Sequence, residues 1–192
     1  MAWVEQEERL FRRLERRIVA SRLLSGFAAE GQADVDGFIA FSLSVQNRRK
    51  ARAGRSLENH LEALFISRKL RFQRGAETEN RNSPDFLFPG QTEYRDPQFP
   101  VDGLTMLGAK STLKDRWRQV LAEANRIPAK HLITLQPGIS ENQTDQMRAA
   151  SLQLVVPRSI HETFQLDQAA WLISVADFVE LLQQRQHHYS QR

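Results

Sequence analysis

Between Glu8 and Leu24 the apolar residues Phe11, Leu14, Ile18, Val19 and Leu23 recur three and four apart, with arginines filling the opposite positions. That spacing predicts a basic amphipathic helix. Gly26 to Gly31 interrupts the pattern, and Asp34 can cap a second helix carrying Val35, Phe38, Ile39, Leu43 and Val45. Ser56 can cap a third, with Leu57, Leu61, Leu64 and Phe65 inward and Arg68 and Lys69 near its C-terminal end, where the helix dipole favours cations. Beyond residue 80 the pattern changes to short apolar runs bounded by Pro, Gly or polar residues: Phe86 to Phe88, Leu104 to Ala109, His131 to Leu135 and Leu152 to Val156. These read as central strands. Helical patterns at Leu113 to Ile127 and Glu141 to Ala150 separate the last three, which predicts crossover connections and a partly parallel sheet. A closing helix over Val175 to Gln184 completes an α/β reading: a mixed central sheet flanked by helices, preceded by a helical segment.

Composition narrows the class. A chain of 192 residues with 41% apolar content can bury one good core. We therefore expect a single domain over 1–192, with a helical N-terminal segment over about 1–46 and a core over about 47–186. The net charge is +4, but the cations cluster, which favours a polyanion over a membrane as partner. There is no cysteine, so disulfides, thiol catalysis and cysteine-zinc sites are excluded. The charged N-terminus has no signal-peptide core and no apolar run reaches membrane-spanning length, so a cytoplasmic protein with no membrane partner is expected. Neither G-x-S-x-G nor a P-loop sequence occurs. None of the five histidines forms a metal-ligand pair with an acid at helix spacing, and the terminal His187-His188 reads as a solvated tail.

Candidate chemistry lies in SPDFLFP and AKSTLKDRWRQVLAEA. Phosphodiester cleavage needs carboxylates to hold a divalent cation against the phosphate and a positive group near the attacking water. Asp85, Lys110 and Glu123 supply that set, in the manner of the PD-(D/E)XK nucleases but permuted. The usual second acid stands two residues before the lysine, on the same strand face. Here that position is Gly108, and Glu123, along the following helix, is the expected replacement. Pro-Asp alone is also common turn chemistry. The stretch NRRKARAGRSLENH sets Arg48, Arg49, Lys50, Arg52 and Arg55 before Glu58. Such cations clamp backbone phosphates, or simply form a solvated basic turn. Lys114, Asp115 and Arg116 suit the reading of G·C pairs, since Arg or Lys can bond guanine and a carboxylate can accept from cytosine; an ordinary solvated helix face is the plainer alternative. Trp117 at helical spacing reads as packing.

The runs NRRKARAGRSLENHLEALF, PDFLFP, FPVDGLTMLGAKSTLKDRWRQVLAEANRI, HLITLQPGIS and LQLVVP resemble the C-terminal catalytic domain of the EcoRII family of restriction endonucleases, from about Leu10 to Leu182. The resemblance implies a restriction-endonuclease-like fold, Mg²⁺-dependent cleavage of double-stranded DNA at a pseudopalindrome of the CCWGG or CCNGG kind, a homodimer, and a cognate cytosine methyltransferase in the same cell. Carried over by position, it makes Glu58, Asp85, Lys110 and Glu123 the catalytic set, with Asp85 and Glu123 as metal ligands. Arg49 and Tyr94 become phosphate or cleft residues, and Lys114, Asp115 and Arg116 the base-reading segment. The Glu58 to Asp85 interval is one residue shorter than the family pattern. No counterpart of the namesake's effector-binding domain is expected, and action without a second activating DNA site is expected with it. Two alternatives are a repair or recombination nuclease of the same fold, and a binding module that no longer cuts.

Overall fold

The computed structural model describes residues 2–29 and 31–190, which divide into two compact units, Met1–His60 and Leu61–Arg192. The first unit holds α1 (Ala2–Ser25), a two-stranded ribbon of β1 (Ala28–Ala29) and β2 (Gln32–Ala33), and the start of α2 (Val35–Ser67). Asp34 caps α2 as expected, its Oδ1 accepting from the Gly37 N–H at 2.8 Å. The helix does not stop at Gly54, however. The second and third predicted helices are one 33-residue element, because Gly54 is the only helix-weakening residue in the join and a single glycine costs about 1 kcal/mol. Ser56 therefore caps nothing; its hydroxyl donates to Glu7 at 2.8 Å.

Ion pairs tie α1 to α2 within this unit. Glu15, 5% exposed, accepts from the Arg49 guanidinium at 2.6 Å; Arg52 pairs with Glu8 and lies 4.7 Å from the Phe11 ring centroid. Phe27 packs edge-on against Phe38, with centroids 5.3 Å apart. The apolar stripe expected to face inward is largely uncovered: Leu14, Ile18 and Leu23 of α1 and Val35, Phe38, Ile39 and Leu43 of α2 are all exposed.

The second unit is built on a five-stranded sheet in the order β3 (Gln73–Arg74), β4 (Phe86–Phe88), β5 (Thr105–Ala109), β6 (Lys130–Ile133), β7 (Leu152–Val155). The three strands on the β3 side pair antiparallel and the three on the β7 side pair parallel, which gives the mixed sheet. The edge strand β3 has no apolar run and was not legible in the pattern. Helices α3 (Gln91–Arg95), α4 (Trp117–Leu121), α5 (Glu141–Ala149), α6 (Leu166–Trp171) and α7 (Val175–Ser190) complete the unit.

Register fixes the two faces, because cross-strand partners share a face and neighbours along a strand do not. Phe86, Leu107, His131 and Gln153 line one face. There Phe86 and Phe88 meet Phe65 of α2 edge-on, and Phe88 meets Phe178 of α7. The other face carries Leu87 with Met106, and Gly108 with Leu132 and Leu154. Trp117, Val120, Ile139 and Met147 pack on it, so Trp117 is a core residue. The helix expected over Leu113 to Ile127 is shorter: a single tight turn at Lys114–Arg116 precedes α4, which ends at Leu121. The chain past it bends because Ala124 takes a left-handed φ of 48°, a conformation no helix continues through.

Candidate active site

Asp85 directly precedes β4, and Lys110 directly follows β5. By the alternation of strand faces both belong to the Gly108 side of the sheet, where α4 packs. The antiparallel pairing of β4 and β5 brings them together: Asp85 Oδ2 accepts from the Ala109 N–H at 2.6 Å and from Lys110 Nζ at 2.7 Å. The Lys110 N–H donates to the Ile133 carbonyl at 3.0 Å, so the lysine's backbone is tied to β6.

Glu123 enters from the chain just past α4. Burial pushes its carboxyl up to about 7; the charge of Asp85 pushes the same way, and Lys110 and Lys130 oppose it. Its Oε2 is buried with no hydrogen-bond partner among the described residues. A buried carboxylate oxygen left unmatched is costly unless something binds it. The structure thus gathers Asp85, Lys110 and Glu123 where β4 begins and β5 ends, with Glu123 in a bend and not along a helix.

Gly108 explains the permutation. A Cβ there would lie 2.9 Å from Val120 Cγ2, 3.2 Å from Val120 Cγ1 and 3.4 Å from Leu132 Cδ1. No carboxylate fits at the position usual for the second acid, because α4 packs against the bare backbone.

The bend carrying Glu123 is held by side chains that the sequence did not single out. Lys130 Nζ, in a residue 6% exposed, donates to the carbonyls of Ile127 at 2.7 Å and Ala124 at 3.1 Å. Thr78 Oγ1 accepts from the Ala124 N–H at 3.3 Å, and Glu79 Oε2 from the Asn125 N–H at 3.1 Å. Tyr94, expected near the cleft, is 5% exposed; its hydroxyl donates to the Glu79 carboxylate at 2.6 Å and accepts from the Arg126 N–H at 3.2 Å. Burial first, and Glu79 second, push the phenol up to about 12. The only sequence signal for Lys130 is a lone charge at the start of an apolar strand.

Lys114, Asp115 and Arg116 are exposed on the turn before α4, and Asp115 accepts from Arg118 at 2.9 Å. Glu58 and Arg49 belong to the first unit. Glu58 lies half-buried on α2, and the Arg49 guanidinium, held by Glu15, keeps 58% of its side chain exposed. A groove of about 620 Å³ in that unit is lined by Phe11, Asn47, Arg48, Arg52, Arg55 and Asn59, among others.

Where β4 begins and β5 ends, two carboxylates and a lysine converge, the second acid arriving past the next helix. The sequence from residue 11 to residue 179 matches the family described as EcoRII C terminal, and the chain belongs to that family. A curated relative, the type II restriction enzyme EcoRII of Escherichia coli, is 50% identical over 151 residues, covering 78% of this chain. The match spans 37% of that relative's length. Two solved structures share the fold. Metal-depleted Ecl18kI in complex with uncleaved DNA superposes with a TM-score of 0.66 and 22% identity, covering 77% of this chain and 50% of that one. The same enzyme with uncleaved, modified DNA gives 0.71 and 19%, covering 96% and 66%. Among the described residues no helix is long and apolar enough to cross a membrane.

Proposed function

We propose that this chain is the catalytic domain of a type II restriction endonuclease, hydrolysing double-stranded DNA at a C·G-rich pseudopalindrome of the CCWGG kind. The observation that carries the reading is the Asp85–Lys110–Glu123 cluster with its unmatched, buried Glu123 Oε2. The half-identical relative is a restriction enzyme and supports it.

The donor set fits a hard divalent cation such as Mg²⁺. Among the described residues no three His, Cys, Asp or Glu side chains group to enclose an ion. Two carboxylates suit a cation that keeps several waters and takes its remaining ligands from phosphate. Asp85 and Glu123 would hold it. When bound, such an ion polarises the phosphate and makes water a better nucleophile.

The chain's own residues do the rest. Lys110 Nζ, steered by Asp85, orients the attacking water and balances the charge that builds on the phosphate. We assign Glu58 an assisting role in this set and Arg49 a phosphate contact, which gives sequence-independent affinity that falls with salt. Lys114, Asp115 and Arg116, exposed one turn beyond Lys110, read base edges. Tyr94 acts through the Glu79 bond that braces the Glu123 bend. A twofold site calls for two half-site readers, so a homodimer is the expected assembly, with a cytosine methyltransferase protecting host DNA.

The test is incubation with Mg²⁺ and a plasmid carrying one CCWGG site, beside a plasmid lacking it. Linear product confined to the first plasmid, and lost in Lys110→Ala, is the expected result. Cleavage blind to sequence would replace the reading with a repair-type nuclease, and binding without cleavage with a DNA-binding module.

A further inference from the structure

Glu123 has no regular element beneath it. It follows α4, and the next residue, Ala124, sits at a φ of 48°, a region that favours glycine. Left to itself, such a bend relaxes, and with it the direction of the Glu123 carboxylate. Lys130 stands where it can prevent this. It opens β6, pairs with Leu152 on the sheet face that Leu132 shares, and points its ammonium at the underside of the bend. Both its carbonyl acceptors, Ala124 and Ile127, belong to that bend, and Ile127 N–H closes back on the Ala124 carbonyl at 2.9 Å. The same ammonium lies in the field of Glu123 and Glu79.

We propose that Lys130 is a positioning residue for the nuclease site: from beneath the strand ends it locks the bend at Ala124–Ile127 so that Glu123 faces Asp85. The inference rests on the assignment of Asp85 and Glu123 as metal ligands. Lys130 is assigned no contact with DNA or metal; it acts through the backbone that follows Glu123. An apolar residue of equal length would leave the buried Ile127 carbonyl without its donor and the Ala124 carbonyl with the Ile127 N–H alone. Groups that orient a metal ligand typically govern metal affinity by roughly 10- to 100-fold.

The test compares wild type, Lys130→Met, Lys130→Gln, Glu123→Gln and Leu182→Ala. Leu182 is buried in α7, and its truncation lowers stability without touching the bend. Each protein is taken through thermal unfolding, DNA binding without metal, and single-turnover cleavage of the CCWGG plasmid across a Mg²⁺ titration. Lys130→Met is expected to need about 10-fold or more Mg²⁺ for half-maximal rate, while binding metal-free DNA as wild type does. Lys130→Gln, whose amide can still reach one carbonyl, falls between, and keeps the test readable if the methionine variant does not fold. Leu182→Ala is expected to melt earlier with an unmoved Mg²⁺ requirement. If the Lys130 variants cleave at the wild-type Mg²⁺ concentration, or shift only as Leu182→Ala does, while Glu123→Gln is inactive, the inference on Lys130 falls alone. If Glu123→Gln cleaves normally, the ligand assignment falls with it.

Discussion

Gly108→Ala measures whether the bare backbone at 108 is what excludes the orthodox acid. The added methyl would meet Val120 at 2.9 and 3.2 Å and Leu132 at 3.4 Å, where carbon pairs prefer about 3.5–4.0 Å. Val120 and Leu132 are both wholly buried, so neither can swing into solvent. Overpacking of this kind costs about 1–3 kcal/mol, offset by about 0.5–1 kcal/mol because alanine loses less backbone freedom than glycine in a strand. The net expected loss is therefore ~1 kcal/mol. Val120→Ala alone opens a cavity and costs roughly 2 kcal/mol, from ~0.8 kcal/mol per methylene-sized group plus the void. In the double variant the methyl at 108 occupies the space the valine vacated. Clash and cavity then relieve one another, and the double should be more stable than the sum of the singles by about 1 kcal/mol. Urea unfolding of all four proteins, with equal m-values, reads this coupling. Additive effects within about 0.5 kcal/mol would refute the steric account; the absence of an acid at 108 would then need another cause.

Lys110→Ala should lower single-turnover cleavage by roughly 10²–10⁴-fold while leaving DNA affinity intact, as loss of a transition-state group does; an equal loss in binding would make Lys110 a docking residue. His131 is buried against Phe178, and burial first, then the Arg185 charge, lower its pKa to about 4. The unfolded imidazole takes up a proton near 6.5 and the folded one does not, so the His131 contribution is constant above pH 6.5 and falls by up to about 3 kcal/mol as pH drops from 6.5 to 4. Urea midpoints of wild type and His131→Gln over that window check it, since the substitution should remove this part of the slope. Arg116→Ala should cost about 1–3 kcal/mol on cognate DNA and little on unrelated DNA, read by competition binding. Arg49→Ala should weaken both alike and reduce the salt slope by about one.

The strands were legible because β4 to β7 are short, mostly apolar runs between turn residues, and the parallel pairing of β5 to β7 followed from the helices between them. Asp34 was legible as a cap because an Asx side chain before an apolar helix has few other uses. Ser56 misled for a related reason: it is a good cap by type, but the helix around it continues, and Glu7 takes its hydroxyl. The long helix predicted through Glu123 failed because nothing in a sequence marks Ala124 as left-handed; alanine is the best helix former, and the bend is held by distant side chains, Thr78, Glu79 and Lys130 among them. The Asp85–Lys110 pair could be read from motif spacing, while the bracing behind it depends on contacts from strands and turns far apart in the chain.

Moving the acid off β5 has a structural consequence. On the strand, a carboxylate two residues before Lys110 would be aimed by the ladder itself, with no further support. Gly108 instead lets α4 close down on the sheet through Val120, and the acid must then arrive on backbone that carries no ladder. Its direction has to come from side chains: the Lys130 ammonium below, Thr78 and Glu79 beside, and Tyr94 holding Glu79 in place. The proposed site is therefore larger than its three central groups, and its accuracy would be set as much by buried hydrogen bonds under the bend as by the strands that present Asp85 and Lys110.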